Sequence, residues 1–560
     1  MSAEQARVDE VSNDEEAEKT APQEPILAPD TPVSPPIPWW KTLLYFFASV
    51  MFFLTQGLGL NLALANLTQI QGTIAATTTE SAWLSAAYMA PNVSLAIGLV
   101  KIRMQYGVRN FAEISIIGFI AASLLNLFVS DLQSAIVVRF LSGIAGAPLS
   151  TLGFLYMLEA FQPAKKLTVG VSLAMMNTTL AAPITRLVSP PLLDFGEWRG
   201  LYTLEMALAL LVMPIIYLLP LTAPPRVKVI NFGDIINYLL VAVGFGCLAV
   251  ILSVGRVYWW FEAPWLGVVG VVCIATLVLA VLIDLNRPTP LIDIRWLLTR
   301  ENLLLTGILL VFRLIAAEQT SIIMLLYQNI GLLYDQLQLL YWIILSFSVI
   351  GGLVCAALMN LGYSWQIQFV ALIMMATGAF MDSQLTTFTR PDQMYLSQAL
   401  VAAGAALFLP PSMSVGFRAA FAKGPPYLVT FFVIFLFTQS IGGLLGTAFY
   451  GTLVTVREKF HSGVLVEHVL LTDPIVAQRA AQLAAGYGKV IGDTTLLNGE
   501  GIALLGLQVT REANTLAFGD AFFTAGVIAL MALAVLILHL LIQAFQARRS
   551  DLTQAVAPNP

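Results

Sequence analysis

Residues 133–158 read QSAIVVRFLSGIAGAPLSTLGFLYML. Apart from Arg139, this stretch holds no charge over 26 positions, long enough to cross a hydrocarbon core of about 30 Å as a helix. Arg139 falls about eight residues, or ~12 Å, inside that core. A charge at such depth is costly, so a buried arginine is a functional candidate by default. Gly143 and Gly146 lie on one helical face, where small residues let a neighbouring helix come close.

The rest of the chain repeats this texture. Of 560 residues, 58% are hydrophobic and 11% charged, against about 45–50% and about 25% in soluble domains. Mean hydropathy is +0.81. These values describe a polytopic membrane protein and exclude a soluble enzyme or a nucleic-acid binder. Apolar runs place fourteen spans near 42–65, 81–100, 111–130, 133–158, 167–192, 200–220, 232–254, 265–285, 302–326, 337–359, 366–386, 395–414, 427–452 and 515–544. With the N-terminus in the cytoplasm, 17 lysines and arginines fall on that side and eight outside, five of the eight in loop 453–514. Long loops count little in the positive-inside rule, so the orientation is well set, with both termini cytoplasmic. Trp39, Trp40, Trp83, Trp198, Trp259, Trp260, Trp265, Trp296 and Trp365 fall at span ends, as interfacial anchors do.

The net charge of −5 is unevenly spread. Residues 1–38 hold nine acidic and two basic residues and seven prolines. Too little apolar surface remains there to fold, and residues 1–40 are expected to form a disordered cytoplasmic tail. The chain contains three cysteines, all in apolar runs, and three scattered histidines, so no metal site is expected. No phosphate-binding Gly-Lys-Ser/Thr loop and no nucleophile-base arrangement stands out. The reading is therefore of a protein that is not an enzyme and carries no cofactor, with any transport driven by a gradient.

Residues 453–514 form an outsized outer loop. Asp473-Pro474 reads as an N-cap followed by proline at the first helical position, and Gly486 as a stop, giving a short helix from PIVAQRAAQLAA. IALLGLQVTREANTLAF (502–518) is expected to run straight into the last span. A cap over the outer opening and a docking surface for a periplasmic partner both suit this loop.

Four segments together resemble the fourteen-span drug:proton antiporters of the major facilitator superfamily (EmrB/QacA type). RFLSGIAGAP (139–148) is similar to the fourth-span pattern R-x-x-Q-G-x-G-A, with Ser142 at the glutamine position. GLGLNLALAN (57–66) resembles L-D-x-T-I-V-N-V-A-L-P through Asn61, Ala63 and Leu64, with Gln56 at the aspartate position. Glutamine cannot carry a titratable proton. AAPITRLVSPP (181–191) resembles the antiporter signature A-P-I-x-G-P-x-L-G-G through Ala182, Pro183 and Ile184. Arg186-Leu187 replaces its Gly-Pro pair, and snorkelling to the outer interface is the simplest reading of Arg186. ANTLAFGDAFF (513–523) resembles the family's start to the last span, and the outer loop resembles that of Gram-negative members with a periplasmic adaptor. Between spans two and three, VKIRMQYGVRN keeps Gly107 and Arg109 of the family's gating loop but has Met104 at its aspartate position.

The resemblance implies two six-helix bundles (41–222 and 300–545), a two-helix insertion (230–286) and a cytoplasmic tail (546–560). It implies a proton-coupled exporter of amphipathic or hydrophobic small molecules in a bacterial inner membrane. A membrane-fusion adaptor and an outer-membrane channel would be its partners. Arg313 and Glu318 of the ninth span are the sharpest remaining charges; five positions is about 140° of helix, so they do not share a face. With Gln56 in place of the usual acid, Glu318 becomes the proton-carrier candidate, against an alternative of a structural ion pair with Arg139 or Arg313. Gln56, Asn61, Asn177, Tyr327 and Gln328 are cavity candidates. Asp382, Asp520, Asp234 and Glu113 lie near span ends, where interfacial solvation accounts for them. The rival readings are uptake or uncoupled facilitation of a specific solute, and a non-transporting sensor or scaffold on the same fold.

Overall fold

A computed structural model of the chain describes residues 38–222, 226, 228, 230–287 and 290–556. The acidic segment 1–37 lies outside the described residues. The helices are α1 Trp39–Ala65, α2 Thr78–Tyr106, α3 Val108–Asn126, α4 Leu132–Glu159, α5 Val171–Leu218, α6 Phe232–Val254 and α7 Pro264–Leu285. They continue with α8 Arg300–Ile330, α9 Gln338–Asn360, α10 Ser364–Asp382, α11 Tyr395–Lys423, α12 Pro425–Glu467, α13 Pro474–Ala485 and α14 Thr494–Val556. Twelve helices among the described residues are long and apolar enough to cross a membrane.

Local chemistry sets the boundaries. Thr77 and Glu80 form a reciprocal capping box at the start of α2. Asp131 and Ser134 do the same for α4. Gly107, at φ +86°, ends α2, a backbone position that a Cβ disfavours. α5 covers both the expected fifth and sixth spans in one helix interrupted at Gly196 and Glu197, whose φ values are −146° and +50°. The helix boundaries expected within 453–514 hold: Asp473 Oδ1 accepts from Ile475 N at 2.8 Å and opens α13, and residues 494–556 form one helix. That helix also runs past 546, the expected start of the C-terminal tail, to Val556.

One apolar core joins the two ends of the sequence. Phe53, Phe154, Met157 and residues 171–176 pack against Phe312, Cys355, Phe408 and Phe417. Gly352 makes room for Met176, and Ser172 Oγ reaches Met359 Sδ at 3.2 Å. At the opposite end Tyr334 Oη donates to Ala65 O at 2.7 Å. α6 packs on α2, where Tyr238 covers Gly98, while the outer faces of α6 and α7 stay largely exposed and apolar. Two tryptophans depart from the anchor reading. Trp198 and Trp296 are buried, stacked edge-on against Tyr202 and Tyr427, because their rings fill gaps between helices.

Candidate functional site

Two buried polar centres stand out. The first surrounds Arg139, which is 2% exposed. Its Nη1 donates to Gly59 O at 3.0 Å, and its guanidinium lies 4.4 Å from the Tyr88 ring centroid, a cation–π contact. Glu205 of α5, fully buried, comes to the same glycine: a Cβ on Gly59 would stand 3.3 Å from Glu205 Oε1. That oxygen accepts from Ser123 Oγ at 3.0 Å. Close packing of α4 on α2 builds this centre. A Cβ on Gly143 would meet Tyr88 O at 2.2 Å, and one on Gly146 would meet Tyr88 Oη at 2.5 Å. Asn92 Nδ2 donates to Gly143 O at 3.2 Å, and Ser142 accepts from Asn126 at 3.0 Å.

The second centre lies in the other half. α8 changes to a π turn at Glu318–Ile322, a distortion that recurs at functional sites. Glu318 is fully buried. Gln398 Nε2 of α11 donates to Glu318 Oε1 at 3.4 Å and to Asp382 Oδ2 of α10 at 2.7 Å. Ser397 Oγ donates to the other Asp382 oxygen. Gln319 Nε2 donates to Gln398 Oε1 at 3.1 Å and fixes the amide's direction. One amide thus holds two carboxyl groups, each able to take up and release a proton. Among the described residues, neither Arg139 nor Arg313 forms an ion pair with Glu318.

Asp382 therefore differs from its reading as a solvated end residue. It is 3% exposed, because α11 folds back across the end of α10 and covers it. Arg186 also differs: it is 7% exposed and does not snorkel. Its Nη2 donates to Thr320 O, inside the π turn, at 3.1 Å, and its guanidinium lies 5.3 Å from the Tyr341 ring centroid. It therefore ties α5 to the segment that carries Glu318. Pro183, one turn earlier, sits buried within α5. Arg313 lies half-buried on glycines of α12: a Cβ on Gly443 would stand 2.9 Å from its Nη2.

The remaining candidates scatter. Gln56 is half-buried, and Asn61 Nδ2 donates to Gly57 O of its own helix at 2.7 Å. Asn177 is buried and reaches Ser49 Oγ at 3.3 Å. Tyr327 is wholly buried with its hydroxyl on Met394 Sδ at 3.0 Å, so it packs rather than lines an opening. Gln328 lines a cavity of about 420 Å³ among α8, α12 and α14. Arg109 pairs with Glu113 at 2.9 Å on the surface. Glu205 and Gln398 were not singled out from sequence. Glu205 had a signal, as the one acid within the run 200–220; Gln398 had none.

Twelve helices of this length and apolarity among the described residues define a multi-pass membrane protein. The chain belongs to the Major Facilitator Superfamily, whose profile matches residues 42–447. It is 22% identical over 264 residues to the multidrug export protein EmrB of Haemophilus influenzae, covering 46% of this chain and 51% of that one. It is 23% identical over 227 residues to the fatty acid resistance protein FarB of Neisseria gonorrhoeae, covering 40% and 44%. With the probable multidrug resistance protein EmrY of Escherichia coli it shares 21% over 257 residues, covering 46% and 49%. The chain spans about half the length of the curated relatives it matches. In fold it is similar to the human organic anion transporter MFSD10 (TM-score 0.53, 10% identity, 90% of this chain and 100% of that one). It is also similar to the proton:xylose symporter XylE (TM-score 0.50, 12% identity, 88% and 95%).

Proposed function

We propose that this protein is a proton-coupled secondary exporter of amphipathic or hydrophobic small molecules. In this reading it has fourteen spans, both termini in the cytoplasm and a place in a bacterial inner membrane. α5 then supplies two spans, divided at Gly196–Glu197, and α2 supplies one. Spans one to six and nine to fourteen form two bundles, with α6 and α7 as an inserted hairpin. Such proteins bind substrate near the midplane and rock between two openings.

The observation that carries the reading is the carboxyl pair of Glu318 and Asp382 on Gln398. Export driven by a proton gradient needs a group that titrates inside the membrane, and Gln56 cannot do so. Glu318 is the proton carrier and Asp382 its partner. Arg186 reports the state of the pair to α5 through Thr320 O. Arg139 ties α4 to α1 through Gly59 O, and Glu205 ties α5 to α3 through Ser123, as that half moves. Arg313, Gln56 and Asn61 supply polar contacts along the substrate path, while Asn177, buried on Ser49, ties α5 to α1. The EmrB-type relatives support export as the direction. The turn after α12, α13 and the start of α14 present exposed Leu470, Leu471, Ile475 and Leu507. They suit a periplasmic adaptor that passes substrate to an outer-membrane channel.

The test uses proteoliposomes holding a pH-sensitive dye. Adding a transported amphipath without any imposed gradient moves protons against it in wild type. Glu318→Gln retains substrate exchange and moves no protons. Proton movement at the wild-type rate in Glu318→Gln contradicts the assignment.

A further inference from the structure

The cavity of about 420 Å³ lies among α8, α12, α14 and the turn after α6. Its volume falls within the ~300–1,000 Å³ of small-molecule sites. Leu325, Val454 and Phe518 give it an apolar wall. Arg256, from the turn after α6, lines it as well. This guanidinium is built in rather than waving at the surface. Gly451 of α12 is its cradle: a Cβ there would stand 2.7 Å from Arg256 Cδ and 2.9 Å from Nη1. Neighbouring contacts fasten the same turn to α12. Trp260 Nε1 donates to Thr452 Oγ1 at 2.9 Å, and Lys459 Nζ lies 4.8 Å from the Trp259 ring centroid. Burial lowers the Arg256 pKa from its usual value.

Among the described residues no carboxylate pairs with Arg256. The cavity's one acid, Glu458, accepts from Ser462 Oγ at 2.9 Å. Glu458 lies seven residues beyond Gly451 on α12, roughly 10 Å along the helix. The Glu458 carboxylate comes no nearer than 4 Å to the Arg256 guanidinium and so does not pair with it. A partly desolvated cation held in place without a counter-charge favours an anion beside it. The apolar wall favours a tail attached to that anion.

We propose that this cavity binds the anionic head of an acidic amphipath, with Arg256 as its anchor and Leu325, Val454 and Phe518 against the first part of the tail. This names a substrate class for the exporter, and for passage of the solute it rests on that reading; the binding site itself does not. A carboxylate-bearing solute and an anionic phospholipid share the required chemistry.

The test is binding of dansyl-undecanoate, and of its neutral alcohol twin, to the full chain in phosphatidylcholine nanodiscs. Arg256→Gln weakens the carboxylate probe by about tenfold, the scale of one charge-assisted hydrogen bond, and shifts the alcohol less than about twofold. Gly451→Ala, which keeps the charge but fills its cradle, weakens the carboxylate in the same way. Arg256→Lys retains most of the affinity. Equal losses for both probes, or no loss for the carboxylate in Arg256→Gln, overturn the proposal. Phosphatidylglycerol nanodiscs separate the sources. If wild type there binds the probe only as weakly as Arg256→Gln does, the lipid head occupies the anion site. If affinity is unchanged, a free solute does. Failure of proton-coupled transport leaves these binding results intact, and failure of Arg256 to matter leaves Glu318-dependent export intact.

Discussion

Replacing Asp234 with asparagine removes the shared counter-charge of a buried lysine and a half-buried arginine. Lys101 Nζ lies 3.1 Å and Arg287 Nη2 2.8 Å from the same Asp234 oxygen. The three side chains are 9%, 17% and 4% exposed, in the order Lys101, Arg287, Asp234. Asp284 cannot take over: it is 3.9 Å from Arg287, and its oxygens accept from Leu291 N and Ile292 N. Breaking a buried pair by deleting one partner costs about 3–5 kcal/mol, because the surviving charge stays buried. Partial exposure of Arg287 puts the expected loss near the lower end, about 3 kcal/mol. Mixed-micelle unfolding, followed by far-UV circular dichroism, measures it. Lys101→Met then removes one of the stranded cations, so the double variant loses less than the two single losses added, with a coupling of about 1 kcal/mol or more. A loss below about 1 kcal/mol for Asp234→Asn, or strict additivity, refutes the reasoning. The network also accounts for Met104. The basic end of α2 finds its carboxylate on α6 instead of in its own loop.

Gly143→Val drives a side chain into Tyr88 O and Pro91, and overpacking of that kind costs about 1–3 kcal/mol. Size-exclusion profiles should show loss of the monodisperse peak, whereas Gly72→Val, in open space, should leave it intact. Arg186→Ala removes the bond to Thr320 O, worth about 1–3 kcal/mol for a charged donor. A cysteine at Thr320 should then react faster with a membrane-impermeant thiol reagent; an unchanged rate means that the bond holds nothing shut. Asp382→Asn leaves Gln398 on one carboxyl, so proton-driven transport should fall by about tenfold or more while substrate binding stays within about twofold. Equal losses in binding and transport would assign Asp382 a packing role.

The spans were legible because hydropathy and helix caps are local. The Asp473 cap, the continuous helix after Thr494 and the tight Gly143 contact all follow from residues adjacent in sequence or from one small side chain. Burial of an end residue is not local. Asp382 reads as solvated until α11 is placed across it, and Gln398 gains meaning only between two acids 80 and 16 residues away. Arg186 likewise looks free to reach the interface, yet its partner Thr320 lies 134 residues on. Trp198 and Trp296 show the same limit: an aromatic ring at a span end serves packing or interface equally well until its neighbours are known.

The most direct test of the account is efflux of a fluorescent amphipathic dye from cells carrying the full chain with a periplasmic adaptor, comparing wild type and Glu318→Gln with and without a protonophore. Wild type is expected to export the dye and to stop with the protonophore, and Glu318→Gln to export none at wild-type membrane levels. Export by wild type that continues at full rate with the protonophore present would contradict it.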